Sequence, residues 1–419
     1  MRIVHLTQTT TADIAGGLEH HIAYLTQALR ELGHNPIVVS TSALQDDESR
    51  AAGAGVAMKS EGSGFSLLRR LVPPTGRSHV DGCLDTLDTL TRRLSHNRHT
   101  ERIAEHVERL KPDLVHQHSY LDGLALNGRL GKQYPLVFTN HTGAYLHLDR
   151  HGPTRVLQRQ MMKRFSAVIG PSRELLPATR NSYYIPNGVD TVCFQPVPEE
   201  ERRRLIRKWD CTGKQVFFCP RRWAPTKGII YLAHAVRCIT EKTREGSVFL
   251  FAGNETPGYE QYQASVTRAL EKAGGCNVRM LGNLEHGEMV ELLNIASACV
   301  VPSLMEATSL TCLESMACGT PVLGSETGGL VELIEEGVNG WFVPMRDVKA
   351  LASKIDEIAI LGEGERTRLR ARTLQSVVER YTWRIAALET EKVYRRVLQD
   401  WLLRRRSEWA CRPFGSYEL

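Results

Sequence analysis

Residues 298–325 read ACVVPSLMEATSLTCLESMACGTPVLGS, and the order of elements in this stretch decides the fold. Ala298 to Pro302 is a short apolar run of the kind that fills a parallel sheet buried on both faces. Thr308 and Ser309 carry side-chain oxygens that suit a helix cap, and the spacing predicts a helix over 309–317. Past the break at Gly319-Thr320-Pro321, a second apolar run predicts a strand over 321–324. A strand-loop-helix unit of this kind aims the helix N-terminus out of the strand's carboxyl end. There the unpaired N–H groups and the macrodipole favour an anion such as a diphosphate. Glu306 and Glu314 bracket that point. Two fixed carboxylates beside a phosphate site can only repel phosphate, so their partners are hydroxyls. A sugar joined to a nucleotide supplies both groups; a solvated acidic helix face is the plainer alternative.

A second constellation lies upstream. Residues 216–220, VFFCP, form another strand-like run, followed by Arg221, Arg222, Trp223, Ala224, Pro225, Thr226, Lys227 and Gly228 before helical periodicity begins at Ile229. Arg222 and Lys227 therefore leave the carboxyl edge of a second strand. An arginine fork with a lysine point charge suits a diphosphate, both when bound and when it departs with growing negative charge. An exposed basic turn is the alternative, and the matching carboxylates later in the same βα series weigh against it.

With both constellations in place, the chain resembles the retaining nucleotide-sugar glycosyltransferases of family 4, which have the GT-B architecture. The resemblance runs over nearly the whole chain: Gly16-Gly17 and the helix ending at Gly33-His34, Pro112-Asp113 to His116, Thr139-Asn140-His141, and Pro186 to Asp190. It continues through the Arg222/Lys227 pair, Ala252-Gly253, Leu281-Gly282, the acidic stretch, Gly328-Gly329, Glu332 and Asn339-Gly340-Trp341. Each is a weak signal alone; in this order they are strong. Arg221 stands where the family usually has glycine, and Ala307 where glycine is common. What the resemblance implies is an α/β fold of GT-B type: two Rossmann-like βα domains facing across a cleft, with a C-terminal helix returning to the N-terminal domain.

Length and composition agree. A chain of 419 residues, 42% hydrophobic, suits two cores of roughly 150 to 200 residues each. The expected domains are 1–187 on the acceptor side, 188–378 on the nucleotide-sugar side, and a helical segment over 379–419 packing back on the first. Asn187-Gly188 after a proline favours a turn at the boundary. Strands are expected over 2–6, 37–40, 114–118, 136–140, 167–170 and 183–186, then over 216–220, 248–252, 278–281, 298–302, 321–324 and 341–343. Helices are expected over 18–32, ended by Gly33, and near 229–240, 259–273, 286–296, 309–317, 329–336 and 347–360. Residues 43–99 are broken by Gly, Ser and Pro, and by the family pattern such a loop shapes the acceptor pocket.

No apolar run reaches the ~18 residues of a membrane span. The start Met1-Arg2-Ile3-Val4 enters a strand rather than a signal peptide, so a cytoplasmic location is expected. Ten cysteines without a Cys-x-x-Cys pair read as small buried hydrophobes in a reducing compartment. The net charge of +6 is mild. Basic runs at 69–70, 92–93, 202–204 and 404–406 read first as solvated helix faces, and second as contacts to anionic lipid at the inner membrane face or to an acidic acceptor. The chain lacks the aromatic and basic interleaving of a nucleic-acid binder.

Arg222 and Lys227 are assigned to the donor's diphosphate. Glu314 resembles the family glutamate that accepts from the ribose hydroxyls, and Glu306 the one that orients the transferred sugar. The amides of Ser309, Leu310 and Thr311 are placed to bind sugar or phosphate at the helix start, and Gly282 to meet the base. Gly16 and Gly17 allow close backbone approach, where a Cβ would block a phosphate or sugar. His141 matches the family histidine at the sugar. His116 and His118 alternate along a strand end and point the same way. They bind a metal, line the acceptor site, or divide into one packed and one hydrogen-bonded ring, the last being preferred. With no Asp-x-Asp motif, neither metal nor cofactor is expected, and the basic pair takes the metal's place.

The expected reaction moves a hexosyl group from a nucleoside diphosphate sugar, UDP-sugar first, to the hydroxyl of a small molecule, lipid or glycan, with retention as the resemblance implies. A Rossmann oxidoreductase would need a Gly-x-Gly-x-x-Gly turn whose spacing the Gly16-Gly17 loop lacks. A sugar-nucleotide binding subunit without turnover is the other alternative, hinted at by Arg221 and Ala307.

Overall fold

The computed structural model describes residues 1–8, 17–42, 44, 98–118, 123–141, 162–253 and 258–410. Gly16, the basic pairs at 69–70 and 92–93 and nearly all of the 43–99 insertion lie outside these residues. The chain divides into two compact units, one made of residues 1–170, 175–185 and 387–419, the other of 171–174 and 186–386. The crossing falls between Ile185 and Pro186.

The first unit holds β1 (Arg2–Thr7), α1 (Gly17–Glu31), β2 (Asn35–Ser40), α2 (Arg98–Leu110), β3 (Leu114–Gln117), α3 (Gly123–Gln133), β4 (Leu136–Thr139), β5 (Ala167–Gly170) and β6 (Ser182–Tyr184). Its sheet runs β2-β1-β3-β4-β5-β6, with every neighbour parallel. Val4, Leu6, Val115, Phe138 and Val168 put one face of that sheet into a core with Ile103, Val107, Leu126 and Leu130 of α2 and α3. By the two-residue alternation of strands, His5, His116 and Thr139 face the other way. Gly33 ends α1 in the left-handed region at φ +82°, and His34 N–H donates back to Leu29 O at 3.0 Å.

The second unit holds α4 (Glu199–Lys208), β7 (Gln215–Pro220), α5 (Ile229–Ala235), α6 (Glu241–Gly246), β8 (Ser247–Ala252), α7 (Glu260–Glu271), β9 (Asn277–Gly282), α8 (His286–Ile295) and β10 (Ala298–Val301). It continues with α9 (Leu310–Ala317), β11 (Val322–Ser325), α10 (Leu330–Leu333), β12 (Gly340–Val343), α11 (Val348–Ala359) and α12 (Glu363–Val378). The strand order is β12-β11-β10-β7-β8-β9, again all parallel. Alternation is visible in the packing. Val216, Phe218, Val248 and Leu250 enter one core, while Phe217, Cys219, Phe249 and Phe251 enter another on the opposite face. Burial on both faces is why these strands read as continuous apolar runs.

The α/β class and the strand pattern stand as expected, with ends shifted by a residue or two. The helix expected over 229–240 is shorter: α5 ends at Ala235, and a separate helix, α6, follows from Glu241, capped by Thr240, whose hydroxyl accepts from Thr243 N–H. The last helix, α13 (Trp383–Ala410), begins later than residue 379 because Thr382 caps it, its Oγ1 accepting from Ile385 N–H at 3.2 Å. From Ala387 onward it groups with the first unit, where the fully buried Tyr394 donates or accepts at His116 Nδ1, 2.6 Å away. No described helix is long and apolar enough to cross a membrane.

Candidate functional site

In the second unit, β7 and β10 are neighbours in space although β8 and β9 separate them in sequence. The winding reverses at that pair, and in open parallel sheets the crevice beyond the strands' carboxyl ends at such a reversal is where ligands bind. β7 delivers Arg221, Arg222 and Lys227 to this edge, and β10 delivers Ser303 and Glu306. Only glycine lets the two loops close on each other. Gly228 has φ +64°, and a Cβ there would collide with the Pro302 carbonyl. Gly328, at φ +43°, passes against the Glu306 carbonyl, and Gly329 N–H donates to that same oxygen at 2.9 Å.

Glu306 is the centre of the cluster. Lys227 Nζ lies 2.7 Å from its Oε1, Ser303 Oγ donates to the same oxygen at 2.9 Å, and Arg221 Nη2 forms a close ion pair with it. Arg221 also reaches Ser303 Oγ at 3.3 Å and Ser309 Oγ at 3.5 Å. The side chains of Arg221 and Glu306 are each 7% exposed and that of Lys227 is 21% exposed, so the charges are compensated mainly by one another. Ser309 caps α9 as expected, its side chain accepting from Cys312 N–H, and Leu310 and Thr311 are the first two residues of the helix. Burial pushes the Lys227 ammonium down to about 6, helped by the charges of Arg221 and Arg222, while the Glu306 carboxylate works in the opposite direction. The half-buried Glu314 carboxyl is pushed up to about 7 by burial, with Arg221 pulling it back.

Lys227, Glu306 and Ser309 thus come together as the sequence places them, with Glu314 and Arg222 near enough to act on the same charges. Arg222 itself is exposed and makes no side-chain ion pair among the described residues. The arginine that engages Glu306 is its neighbour. Sequence reasoning missed Arg221 as a member of the cluster, and the available signal was its departure from the usual glycine. Gly282 is exposed at φ +68° at the end of β9, its carbonyl accepting from Gly253 N–H at 2.7 Å.

In the first unit, the order reverses at β1 and β3, and a set of histidines gathers there. His5 Nδ1 lies 2.9 Å from His118 Nε2, and His118 Nδ1 lies 3.2 Å from His141 Nε2. His116 is buried with both ring nitrogens engaged, by Tyr394 and by Thr139 Oγ1 at 2.7 Å. His21 of α1 meets the His141 ring edge-on, with centroids 4.4 Å apart. Burial holds the His5, His116, His118 and His141 imidazoles below their usual range, His5 at about 3. Gly17 opens α1 with no described atom within 4 Å of an added Cβ.

The two parallel βα sheets match the GT-B fold, and comparison with known proteins places the chain among glycosyltransferases of that fold. Residues 15–192 match the model of Glycosyltransferase Family 4, and residues 201–375 that of Glycosyl transferases group 1. The chain belongs to this family. It is 31% identical over 276 residues to a D-inositol 3-phosphate glycosyltransferase of Frankia alni, a match spanning 59% of this chain and 65% of that relative, just under two thirds of its length. It is 25% identical over 420 residues to a glycogen synthase of Mycobacterium tuberculosis, covering 94% of each. Among solved structures, Anabaena HepE in complex with UDP and glucose superposes with a TM-score of 0.66 at 17% identity, covering 94% of this chain and 98% of that one.

Proposed function

We propose that this chain moves a hexosyl group from a nucleoside diphosphate sugar, a UDP-sugar in the first instance, to an acceptor hydroxyl with retention at the anomeric carbon. The observation that carries the reading is the Lys227–Glu306–Arg221 cluster at the β7/β10 reversal, beside the capped start of α9. Lys227, Arg222 and the N–H groups of Ser309, Leu310 and Thr311 hold the diphosphate, and Glu314 takes the ribose hydroxyls. Glu306 takes the sugar hydroxyls, sharing its carboxylate with Arg221. Gly282 meets the base. His141 is assigned to the sugar, and Gly16 and Gly17 to close backbone approach, on the resemblance alone.

In the proposed step, the bond from the anomeric carbon to the phosphate oxygen breaks and the bond to the acceptor oxygen forms on the same face. The acceptor's proton ends on the departing phosphate. Stabilising that leaving group asks only for fixed positive charge and the helix dipole, so no metal is needed at the diphosphate. Retention rests on the resemblance.

Turnover assayed against a panel of nucleotide sugars tests the reading. The acceptors include D-inositol 3-phosphate, taken from the name of the Frankia relative, together with a glycan primer and a lipid. Product without added nicotinamide is expected. A second reading, a subunit that binds nucleotide sugar without turnover, is favoured by one observation: Arg221 already occupies the carboxylate meant for sugar. Tight binding without product supports that alternative, and absence of both binding and product sinks both. Peripheral contact of Arg404, Arg405 and Arg406 with anionic lipid remains part of the proposal, tested by sedimentation with anionic vesicles.

A further inference from the structure

We infer that the histidines at the β1/β3 reversal form a binding site for one divalent transition-metal ion, zinc above all, with His21, His118 and His141 as ligands and His5 behind them. The three ligands come from three elements, α1 and the ends of β3 and β4, so the fold rather than local sequence assembles them. Their candidate ligand atoms all lie within 4.8 Å of one another. His118 Nδ1 lies 3.2 Å from His141 Nε2. Zinc–nitrogen bonds of ~2.0–2.1 Å in tetrahedral geometry place ligand atoms roughly 3.4 Å apart, so this pair needs almost no movement to share an ion. His21 lies within reach of both, its ring centroid 4.4 Å from that of His141 and 5.5 Å from that of His118.

The surroundings fit as well. A ligating histidine ordinarily donates its second ring N–H to a neighbour, which fixes the tautomer. His118 has such a neighbour in His5, 2.9 Å from Nε2; in the tautomer that donates from Nε2 to His5, the Nδ1 lone pair faces His141. His5 is fully buried, and its Nε2 lacks a hydrogen-bond partner. Buried neutral imidazoles are in the protonation state that binds a metal, and a set of nitrogens alone favours zinc, copper or nickel over magnesium or calcium. His116 stays out of the set because Tyr394 and Thr139 hold both its nitrogens. Three protein ligands leave a fourth position open. The histidine set lies within the first unit and the proposed diphosphate cluster within the second.

The test uses the full-length chain after chelator treatment. Titration calorimetry with Zn2+ is expected to give one equivalent bound, weakened at least about 100-fold in His118→Ala and His21→Ala and about 10- to 100-fold in His5→Ala. His106→Gln on α2 is expected to bind like the unaltered chain. Co2+ as a spectroscopic probe should give the visible absorption of a tetrahedral site, lost in His118→Ala. Far-UV circular dichroism checks folding; should His118→Ala misfold, the partly buried His141→Gln carries the same expectation. The site is overturned if the unaltered chain shows no saturable binding, or if affinity is unchanged in the folded variants. The histidines would then be a relay of hydrogen-bonded neutral rings. Neither measurement involves a nucleotide sugar, so this failure would leave the transferase reading intact.

Discussion

Replacing Lys227 by alanine separates the chemistry of the second unit's cluster from its contribution to the fold. The side chain is 21% exposed, and its Nζ lies 2.7 Å from Glu306. If the ammonium faces a departing diphosphate in a site with little water, its loss raises the barrier by ~3 kcal/mol and lowers kcat about 100-fold. The fold should lose much less than in Glu306→Ala, because Glu306 keeps Arg221 and Ser303 as partners. Glu306→Ala behaves differently. It strips the buried Arg221 of its carboxylate, which costs about 3–5 kcal/mol of stability as well as activity. The assay measures UDP release with acceptor present, giving kcat and KM separately, beside urea unfolding of both variants. An interaction made only in the transition state lowers kcat and kcat/KM together. The reasoning is refuted if folded Lys227→Ala turns over within roughly threefold of the unaltered chain, a barrier change of under ~1 kcal/mol.

Donor use should follow a bell-shaped pH profile. Lys227 must keep its proton, and its depressed pKa of about 6 makes kcat/KM fall as pH rises past it; Glu314 must lose its proton, and its raised pKa of about 7 makes kcat/KM fall as pH drops below it. The maximum therefore lies between the two, Lys227→Arg should remove the alkaline limb because guanidinium stays charged, and a flat profile in the unaltered chain would contradict the assignment. Tyr394→Phe leaves His116 Nδ1 buried without its partner and should cost about 1–3 kcal/mol in chemical denaturation. Gly328→Ala forces a Cβ against the Glu306 carbonyl at a positive φ, so donor binding measured by calorimetry should weaken at least about tenfold as the acidic loop shifts.

The strands of the second unit were legible because each is covered on both faces, so Val216 to Cys219 and Val248 to Ala252 read as unbroken apolar runs. The cap at Ser309 was legible for a local reason: its hydroxyl serves an amide three residues on. Thr240 carried the same kind of signal and was passed over, because the periodicity read over 229–239 runs up to it and the helix it caps is short. Arg221 was noticed as an oddity, but nothing local assigns it a partner. Glu306 is 85 residues away and becomes its neighbour only because β10 lies beside β7. Arg222 shows the converse, since its spacing to Lys227 pointed to the site while its side chain remains exposed.

What the sequence determined by itself was whatever depends on near neighbours: the alternation of strands and helices, the cap of α9, and the presence of two cations and one carboxylate on loops that follow strands, with a second carboxylate inside α9. What only the tertiary structure decided was which of those groups meet. Arg221 rather than Arg222 holds Glu306, and five histidines drawn from β1, α1, β3 and β4 share one neighbourhood. The physical reason is range: hydrogen bonds and periodicity act over a few residues and leave their mark in sequence order. Pairing between buried groups is set by strand order in the sheet, which burial of the whole chain selects and no short stretch encodes.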